Sequence, residues 1–578
     1  MKMWPEEAKK TCTASEDFKK NREGGFRYVD KTELLIPLLE GTHETPFFLR
    51  PRRFGKTLTL SMIRRFVEDT RDDHLNAENR ELFRELKIMD AGEKYTRQMT
   101  SYPVINLTLQ TVKAEVFEDA WQDLQALIQD LYSEKQYLLE SGSLSEEECD
   151  YYQRILLGTD GQGKEVTRMD YLHSLRRLTH FLRKDSGKRT VVLIDEYDVP
   201  LEHAYAKGYY PEMVSVIGPL LQNVLKTNTD NLQFAVITGC LQIAKEGIYT
   251  GLNHPAIHTV LSHPGSDAIG FTEEDVRKLL EDSGVGDHFE QVREWYDGYR
   301  FGDTVIYNPW SVIKYIEDLN VNPSAPPLTY WGNTSGNTII RELAERADED
   351  TRAKIEQAMQ GEEICFALRD NIAFDDLYDD PDHVLNVLLS AGYLTATSFD
   401  GEMIQARIPN REVLKIYRDQ ISSWFRASVK TFDVRSLFHA LEQGDAAQAE
   451  QILTDEFMST MSYFDSAEAF YHGVLLTLMQ LSRDYLCTSH RERGMGRFDI
   501  LAKQKTRWNL AFLLEVKVSK ASSDMLSDAR LGAKHIAKEA YCSELQREGY
   551  GEIMTYGISF CEKRCRVFQG ETFTFPSE

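Results

Sequence analysis

Short apolar runs separated by amphipathic stretches organise the first half of the chain. Phe47-Phe-Leu49 is followed by a basic, glycine-containing turn. A helical pattern then runs from Leu58 to about Glu68, with Leu60, Ile63, Phe66 and Val67 on its apolar side. That order predicts strand, loop, helix. Val104-Ile-Asn-Leu-Thr108 reads as a second strand, and residues 112–185 read as mostly helical with a polar break near Gly158–Gly163. Val191-Val-Leu-Ile194 and Phe234-Ala-Val-Ile-Thr238 are further continuous apolar runs. Continuous runs, rather than alternation, mark strands covered on both faces, so the pattern predicts a parallel α/β sheet.

The texture changes at Phe271. Thr272-Glu-Glu-Asp275 is a helix start with acids in its first turn. Helical segments continue to about 345, interrupted by the aromatic stretch Trp295–Trp310. Over 383–425 the pattern reads helix to Gly392, strand from Tyr393, turn at Asp400-Gly401, strand Ile404–Ile408, then a helix capped by Asn410. Helix, hairpin, helix is the order of a small winged-helix module. Beyond about 440 come a helix pair and strands at 497–502, 510–518 and 553–559, with a helix near 522–541, forming a separate α/β domain. The expected parts are 1–270, 271–440 and 441–578. The expected fold class is α/β, with a parallel sheet first, a helical and winged-helix middle, and a C-terminal α/β domain.

Charge narrows the partners. With 67 Lys+Arg against 92 Asp+Glu, the net charge is −25. Such a field repels nucleic acid, so any such contact needs a local basic surface. Residues 451–578 carry a net charge of only −1, and residues 481–520 carry +5. The eight cysteines lack a secretory context and read as free thiols. Cys561 and Cys565 resemble half of a metal site, yet no second pair lies nearby. Met1–Lys10 has no apolar core of a signal sequence, and no apolar run reaches the length of a membrane span. The expected location is cytoplasmic, with no membrane partner.

The turn after the first strand reads Arg50-Pro-Arg-Arg-Phe-Gly-Lys-Thr57. A phosphate-binding loop is G-x-x-x-x-G-K-[ST] between strand and helix. Arg50 stands where the first glycine belongs. The backbone N–H groups of Arg53, Phe54 and Gly55 would face phosphates, Lys56 would reach the β/γ-phosphates, and Thr57 would join Mg²⁺. Gly-Lys-Thr alone is weak evidence. Its partner is the strand ending in Asp195-Glu196, where Asp195 suits Mg²⁺ and Glu196 suits polarising the attacking water. Thr238 ends the next run, at a place where a polar residue can approach the γ-phosphate. All three pieces fall at predicted strand ends, where open α/β sheets bind ligands. ATP and Mg²⁺ (or Mn²⁺) are therefore the expected cofactors.

These motifs resemble bacterial AAA-ATPase-like proteins that carry a C-terminal PD-(D/E)XK nuclease-superfamily domain. The resemblance rests on Phe26–Thr32, Arg50–Leu58, Leu193–Asp198, Thr238-Gly-Cys240, Lys245-Glu246, Tyr249–Asn253 and Trp295–Tyr299. It covers most of the chain outside roughly 70–185. It implies that Arg50 is an ordinary occupant of its position. It also implies Arg where this chain has Gln242, a departure that removes a candidate sensor or finger for hydrolysis. The aromatic stretches Trp295–Trp310 and Tyr330–Gly336 are expected to pack between domains.

In the last domain Asp499 precedes Leu513-Leu-Glu515-Val-Lys517. Positions two apart on a strand share a face, so Glu515 and Lys517 point together. Asp499 on the neighbouring strand would share a hard cation with Glu515, and Lys517 would orient water or neutralise developing charge. This Asp…Glu-x-Lys order resembles the PD-(D/E)XK superfamily, which implies a restriction-endonuclease-like fold for the C-terminal α/β domain, as the motifs above imply a P-loop NTPase fold for the parallel sheet domain. The resemblance adds Glu468, in Glu468–Gly473, as a further ligand or ligand orienter, with Glu492 as a weaker candidate. It implies Gln where this chain has His535. His472 reads as a satisfied core histidine. The nine basic residues of 481–520 suit nucleic-acid backbone contacts, taken as DNA.

The leading expectation is therefore a nucleotide-binding P-loop ATPase joined to a metal-dependent nuclease, with ATP binding or hydrolysis regulating phosphodiester cleavage. The alternative is a nucleotide-gated DNA-binding or assembly factor whose nuclease fold does not cut. A third is a protein that binds ATP and barely hydrolyses it. Homo-oligomerisation is left open.

Overall fold

The computed structural model describes residues 15–41, 45–159, 163–226, 228–242, 255–333, 349–369, 377, 380–418, 433–460, 468–489, 499–505, 510–536, 545–561 and 564–575. Contacts divide the chain into two compact units. One comprises Met1–Thr351 and Gly361–Ile416, and the other Arg352–Gln360 and Tyr417–Glu578.

The first unit is built on strands β1 (Pro46–Leu49), β2 (Val104–Thr108), β3 (Thr190–Asp195), β4 (Leu232–Gly239) and β5 (Ala256–His258). They form one sheet in the order β2-β3-β4-β1-β5, and every neighbouring pair is parallel. All of β1 and β3 is buried, which is why both read as unbroken apolar runs. The strand order sets the ends of β1 and β3 on either side of β4. The helix Lys56–Val67 leaves the turn after β1 and buries Leu60, Met62, Ile63, Phe66 and Val67. The expected 112–185 helical region is three helices, Phe117–Glu134, Glu146–Leu157 and Arg168–Ser186. Ser145 and Glu148 form a capping box that starts the second.

The Thr272 start is borne out: Thr272 and Asp275 form a reciprocal cap on the helix Glu273–Asp282. Within the aromatic stretch the chain makes a hairpin, β6 (Tyr299–Phe301) with β7 (Thr304–Ile306), too short to show a period. The helix Pro309–Val321 follows. Helix, hairpin and helix then appear as read: Pro381–Ser390, β9 (Thr395–Phe399) with β10 (Met403–Arg407), and helical residues 411–418, where Asn410 Oδ1 accepts the Val413 N–H. Pattern reading missed β8 (Ile364–Ala367), which pairs with β10 to complete a three-stranded sheet.

This middle segment packs onto the turn after β1. A Cβ on Gly392 would come within 2.8 Å of Pro51, so only glycine admits the approach. The Trp331 indole donates to the Arg52 carbonyl at 3.2 Å. Phe54 meets the Tyr299 ring edge-on at 4.9 Å, and the Arg53 guanidinium lies 4.5 Å from the Trp310 ring centre. Described residues of both aromatic stretches thus pack against this turn, and 334–336 lie outside the described residues.

The second unit holds a sheet of β11 (Tyr485–Ser489), β12 (Ile500–Gln504), β13 (Leu510–Val518), β14 (Glu552–Cys561) and β15 (Arg564–Thr574), in chain order. Only β13 and β14 run parallel, with the helix Met525–Ile536 in their crossover. That helix covers the face carrying Leu501, Ala511, Leu513 and Ile553. The other face packs against the helices Val434–Glu442, Ala446–Thr460 and Glu468–Gln480. Both edge strands, β11 and β15, escaped the sequence reading. Cys561 and Cys565 are free thiols on β14 and β15. Among the described residues, no helix is long and apolar enough to cross a membrane.

Candidate functional site

The turn 50–55 joins β1 to a helix N-terminus. Arg53 (φ 68°) and Gly55 (φ 98°) are both left-handed, which curls the loop backbone before the helix begins at Lys56. A curled loop of this kind directs successive N–H groups inward, as phosphate binding requires. Arg50 is fully buried. Its guanidinium donates to the carbonyls of Leu49, His258, Thr259 and Gly265 at 2.7–3.1 Å and lies 4.8 Å from the Phe301 ring centre. Burial lowers Arg50 to about 10, which leaves it a cation at neutral pH. The residue replacing the usual glycine is therefore a bolt between β1 and the segment after β5.

Lys56 is 3% exposed. Its Nζ donates to the Arg50 and Pro51 carbonyls at 3.1 and 3.2 Å and to Cys240 Sγ at 3.3 Å, and Glu196 Oε1 lies 3.8 Å away. Burial opposes its charge, but Cys240, Glu196, Asp198 and Asp195 outweigh it, so Lys56 is raised above the ordinary lysine range.

Asp195 binds the site together. Its Oδ2 accepts from Thr57 Oγ1 at 2.7 Å, and its Oδ1 accepts from the Thr238 hydroxyl. Parallel pairing makes this convergence possible, because β3 and β4 end side by side. Burial, then the neighbouring Glu196, raise the Asp195 carboxyl, while Thr238, Thr57 and Lys56 oppose the shift. Glu196 has φ 54°, a strained value for a side chain of its kind. The hydroxyl of Thr57 and the carboxylate of Asp195 are oxygen donors that suit Mg²⁺.

Three residues here were missed by the sequence reading, Arg52, Glu202 and Asp198. Arg52, in the loop, pairs with Glu202 at 2.6 Å. Asp198 is 1% exposed, and its Oδ2 accepts the N–H groups of Cys240 and Leu241 at 2.7 and 2.8 Å. Burial, then Glu196, raise Asp198 to about 7. The available signals were a second acid just beyond Asp195-Glu196 and three arginines in one short loop. Gln242 is partly exposed and lines a pocket of about 310 Å³ with Leu241, Ile257, Val260, Arg369 and Phe399. Lys245 and Glu246 lie outside the described residues.

In the second unit, Asp499 enters β12, and its N–H donates to the Leu514 carbonyl at 2.9 Å. The register Ile500↔Leu514 sets Asp499 across from Glu515. Asp499 Oδ2 accepts the Val516 N–H at 2.8 Å, and Lys517 Nζ donates to Glu515 Oε1 at 2.7 Å. Asp499 is 7% exposed and Glu515 2%. The three sequence candidates are thus brought together. The helix Met525–Ile536 closes over them, and Gly557 permits it: it pairs with Glu515, and a Cβ there would run into the Ala529 carbonyl. His472 Nε2 lies 3.0 Å from the Asp499 carbonyl oxygen, so this core histidine buttresses the site.

Glu468 opens the helix Glu468–Gln480, but its side chain lies outside the described residues, as do Glu492 and several of the basic residues of 481–520. His535 is exposed on its helix. Among the described residues no group of three or more His, Cys, Asp or Glu side chains is poised for a metal ion. Asp499 and Glu515 supply two carboxylates of the kind that suits Mg²⁺ or Mn²⁺.

Comparison with known proteins agrees with this division. Residues 13–249 match the family described as "Predicted AAA-ATPase", and residues 466–570 match the PD-(D/E)XK nuclease superfamily. A curated relative from Azotobacter chroococcum mcd 1, described as "Uncharacterized protein in vnfD 5'region", is 28% identical over 393 residues. The match covers 67% of this chain and 64% of the relative, less than two thirds of the latter's length.

Proposed function

We propose that the union of an AAA-ATPase-like region with a PD-(D/E)XK nuclease-like region makes this chain a nucleotide-controlled nuclease of the cytoplasm. The division into 1–270, 271–440 and 441–578 follows the same reading. Its support is the convergence of side chains at each site: Thr57, Asp195 and Thr238, far apart in the chain, in one region, and Asp499, Glu515 and Lys517, brought together by the pairing of β12 with β13, in the other.

At the first site, the N–H groups of Arg53, Phe54 and Gly55 cradle ATP phosphates. Lys56 leaves the loop carbonyls for the β/γ-phosphates. Thr57 and Asp195 hold Mg²⁺, Thr238 keeps Asp195 oriented, and Glu196 orients the attacking water. At the second site, Asp499 and Glu515, with Glu468, hold a divalent cation. When bound, that cation supplies Lewis acidity toward water and the scissile phosphodiester. Lys517, already hydrogen-bonded to Glu515, orients the water or neutralises the developing charge. The basic residues of 481–520 position a DNA backbone without reading its sequence.

The test is cleavage of linear and circular DNA with Mg²⁺ or Mn²⁺, with and without ATP. Wild type runs beside Lys56→Ala and Lys517→Ala. Cutting by wild type that Lys517→Ala abolishes supports the nuclease, and the Lys56→Ala lane reads nucleotide control. DNA binding without products under every condition would replace the enzyme with the nucleotide-gated binding factor.

A further inference from the structure

The phosphate loop carries three arginines whose side chains part company. Arg50 is spent on four backbone carbonyls. Arg53 turns outward over Trp310 and pairs with Glu16 at 3.2 Å. Arg52 turns the third way, toward the ends of β3 and β4. Its Nη2 meets Glu202 Oε2 at 2.6 Å, and the carboxylates of Asp198 and Glu196 act on it as well. Lys56 feels the same Glu196 and Asp198. Two cations of one loop thus share one acidic wall, on the side where Asp195 and Glu196 stand.

The backbone at this position is fixed from outside, because the Trp331 indole donates to the Arg52 carbonyl. Its side chain has a single carboxylate contact and remains 31% exposed.

We infer that Arg52 exchanges Glu202 for the terminal phosphate of a bound nucleoside triphosphate and is the residue that tells triphosphate from diphosphate. A guanidinium forms bidentate, charge-assisted bonds to phosphate oxygens and gains more from a multiply charged phosphate than from one carboxylate. Glu202 is then the resting partner that keeps the cation in place when no terminal phosphate is present. The inference rests on the nucleotide-binding reading of the Arg50–Thr57 loop.

The test measures equilibrium binding of β,γ-imido-ATP and of ADP, each with Mg²⁺, to the full chain. The proteins are wild type, Arg52→Ala, Arg52→Lys, Glu202→Gln and Lys56→Ala. Arg52→Ala is expected to lose roughly ten- to a hundredfold in affinity for the triphosphate analogue, with ADP affinity within about twofold of wild type. Arg52→Lys recovers part of the loss, and Glu202→Gln tightens the analogue by releasing Arg52. Equal loss for both nucleotides in Arg52→Ala, or no loss for either, overturns the inference while nucleotide binding stands. Failure of wild type to bind either nucleotide overturns the nucleotide reading, and the Arg52 inference with it. Lys56→Ala separates these cases by weakening both nucleotides.

Discussion

Among the described residues of the middle segment, Glu412 is the most deeply buried carboxyl, with no exposed surface. It joins three pieces of chain. The Ser311 hydroxyl donates to both of its oxygens at 3.1 and 2.8 Å, and the Trp331 N–H donates to Oε1 at 2.8 Å. Burial dominates these bonds and raises its pKa from 4.5 to about 7. Between those values the unfolded chain binds fewer protons than the folded one, so stability falls as pH rises. The contribution is complete below pH 4.5 and lost above about 7, a difference of about 3 kcal/mol. Glu412→Gln keeps the volume and an acceptor oxygen but cannot ionise. Urea unfolding of both proteins from pH 5 to 8, followed by tryptophan fluorescence, isolates this term, because other titrating groups cancel in the difference. The variant should gain on wild type by about 2–3 kcal/mol across that range. A constant difference, or a wild type that gains with pH, would refute the assignment.

Arg50→Gly restores the ordinary first glycine of a phosphate loop yet strips four backbone carbonyls, two of them buried, of their donor; it should cost about 3 kcal/mol, and a raised melting temperature would contradict the bolt. Gly557→Ala drives a methyl into the Ala529 carbonyl beneath the helix Met525–Ile536. A loss of about 3 kcal/mol is expected by thermal melting, and no change would mean that the helix does not seat there. Thr238→Val removes one donor from Asp195. The Mg²⁺ concentration needed for nucleotide binding should rise roughly tenfold in a titration, and an unchanged midpoint would remove Thr238 from the site.

Much of the first sheet was legible because burial on both faces leaves a local mark. The runs ending at Leu49, Ile194 and Thr238 correspond to β1, β3 and β4, and the Leu510–Val518 strand was read to the residue. The Thr272 cap is equally local. Elements without such a mark were missed. β11 and β15 are edge strands whose exposed residues blur the pattern, and β6 and β7 have three residues each.

Sequence alone determined which side chains could do chemistry: Lys56, Thr57, Asp195, Glu196, Asp499, Glu515 and Lys517 stand out by type and spacing. It could not say which charges meet. Arg50, Arg52 and Arg53 are neighbours in the chain, yet one serves backbone carbonyls from beyond β5, one faces the acids after β3, and one lies on Trp310. Periodicity reports how each segment is buried, a local property fixed by the segment's own residues. Partnership between charges depends on strand order and register, which bring together residues more than two hundred positions apart, as with Lys31 and Asp275.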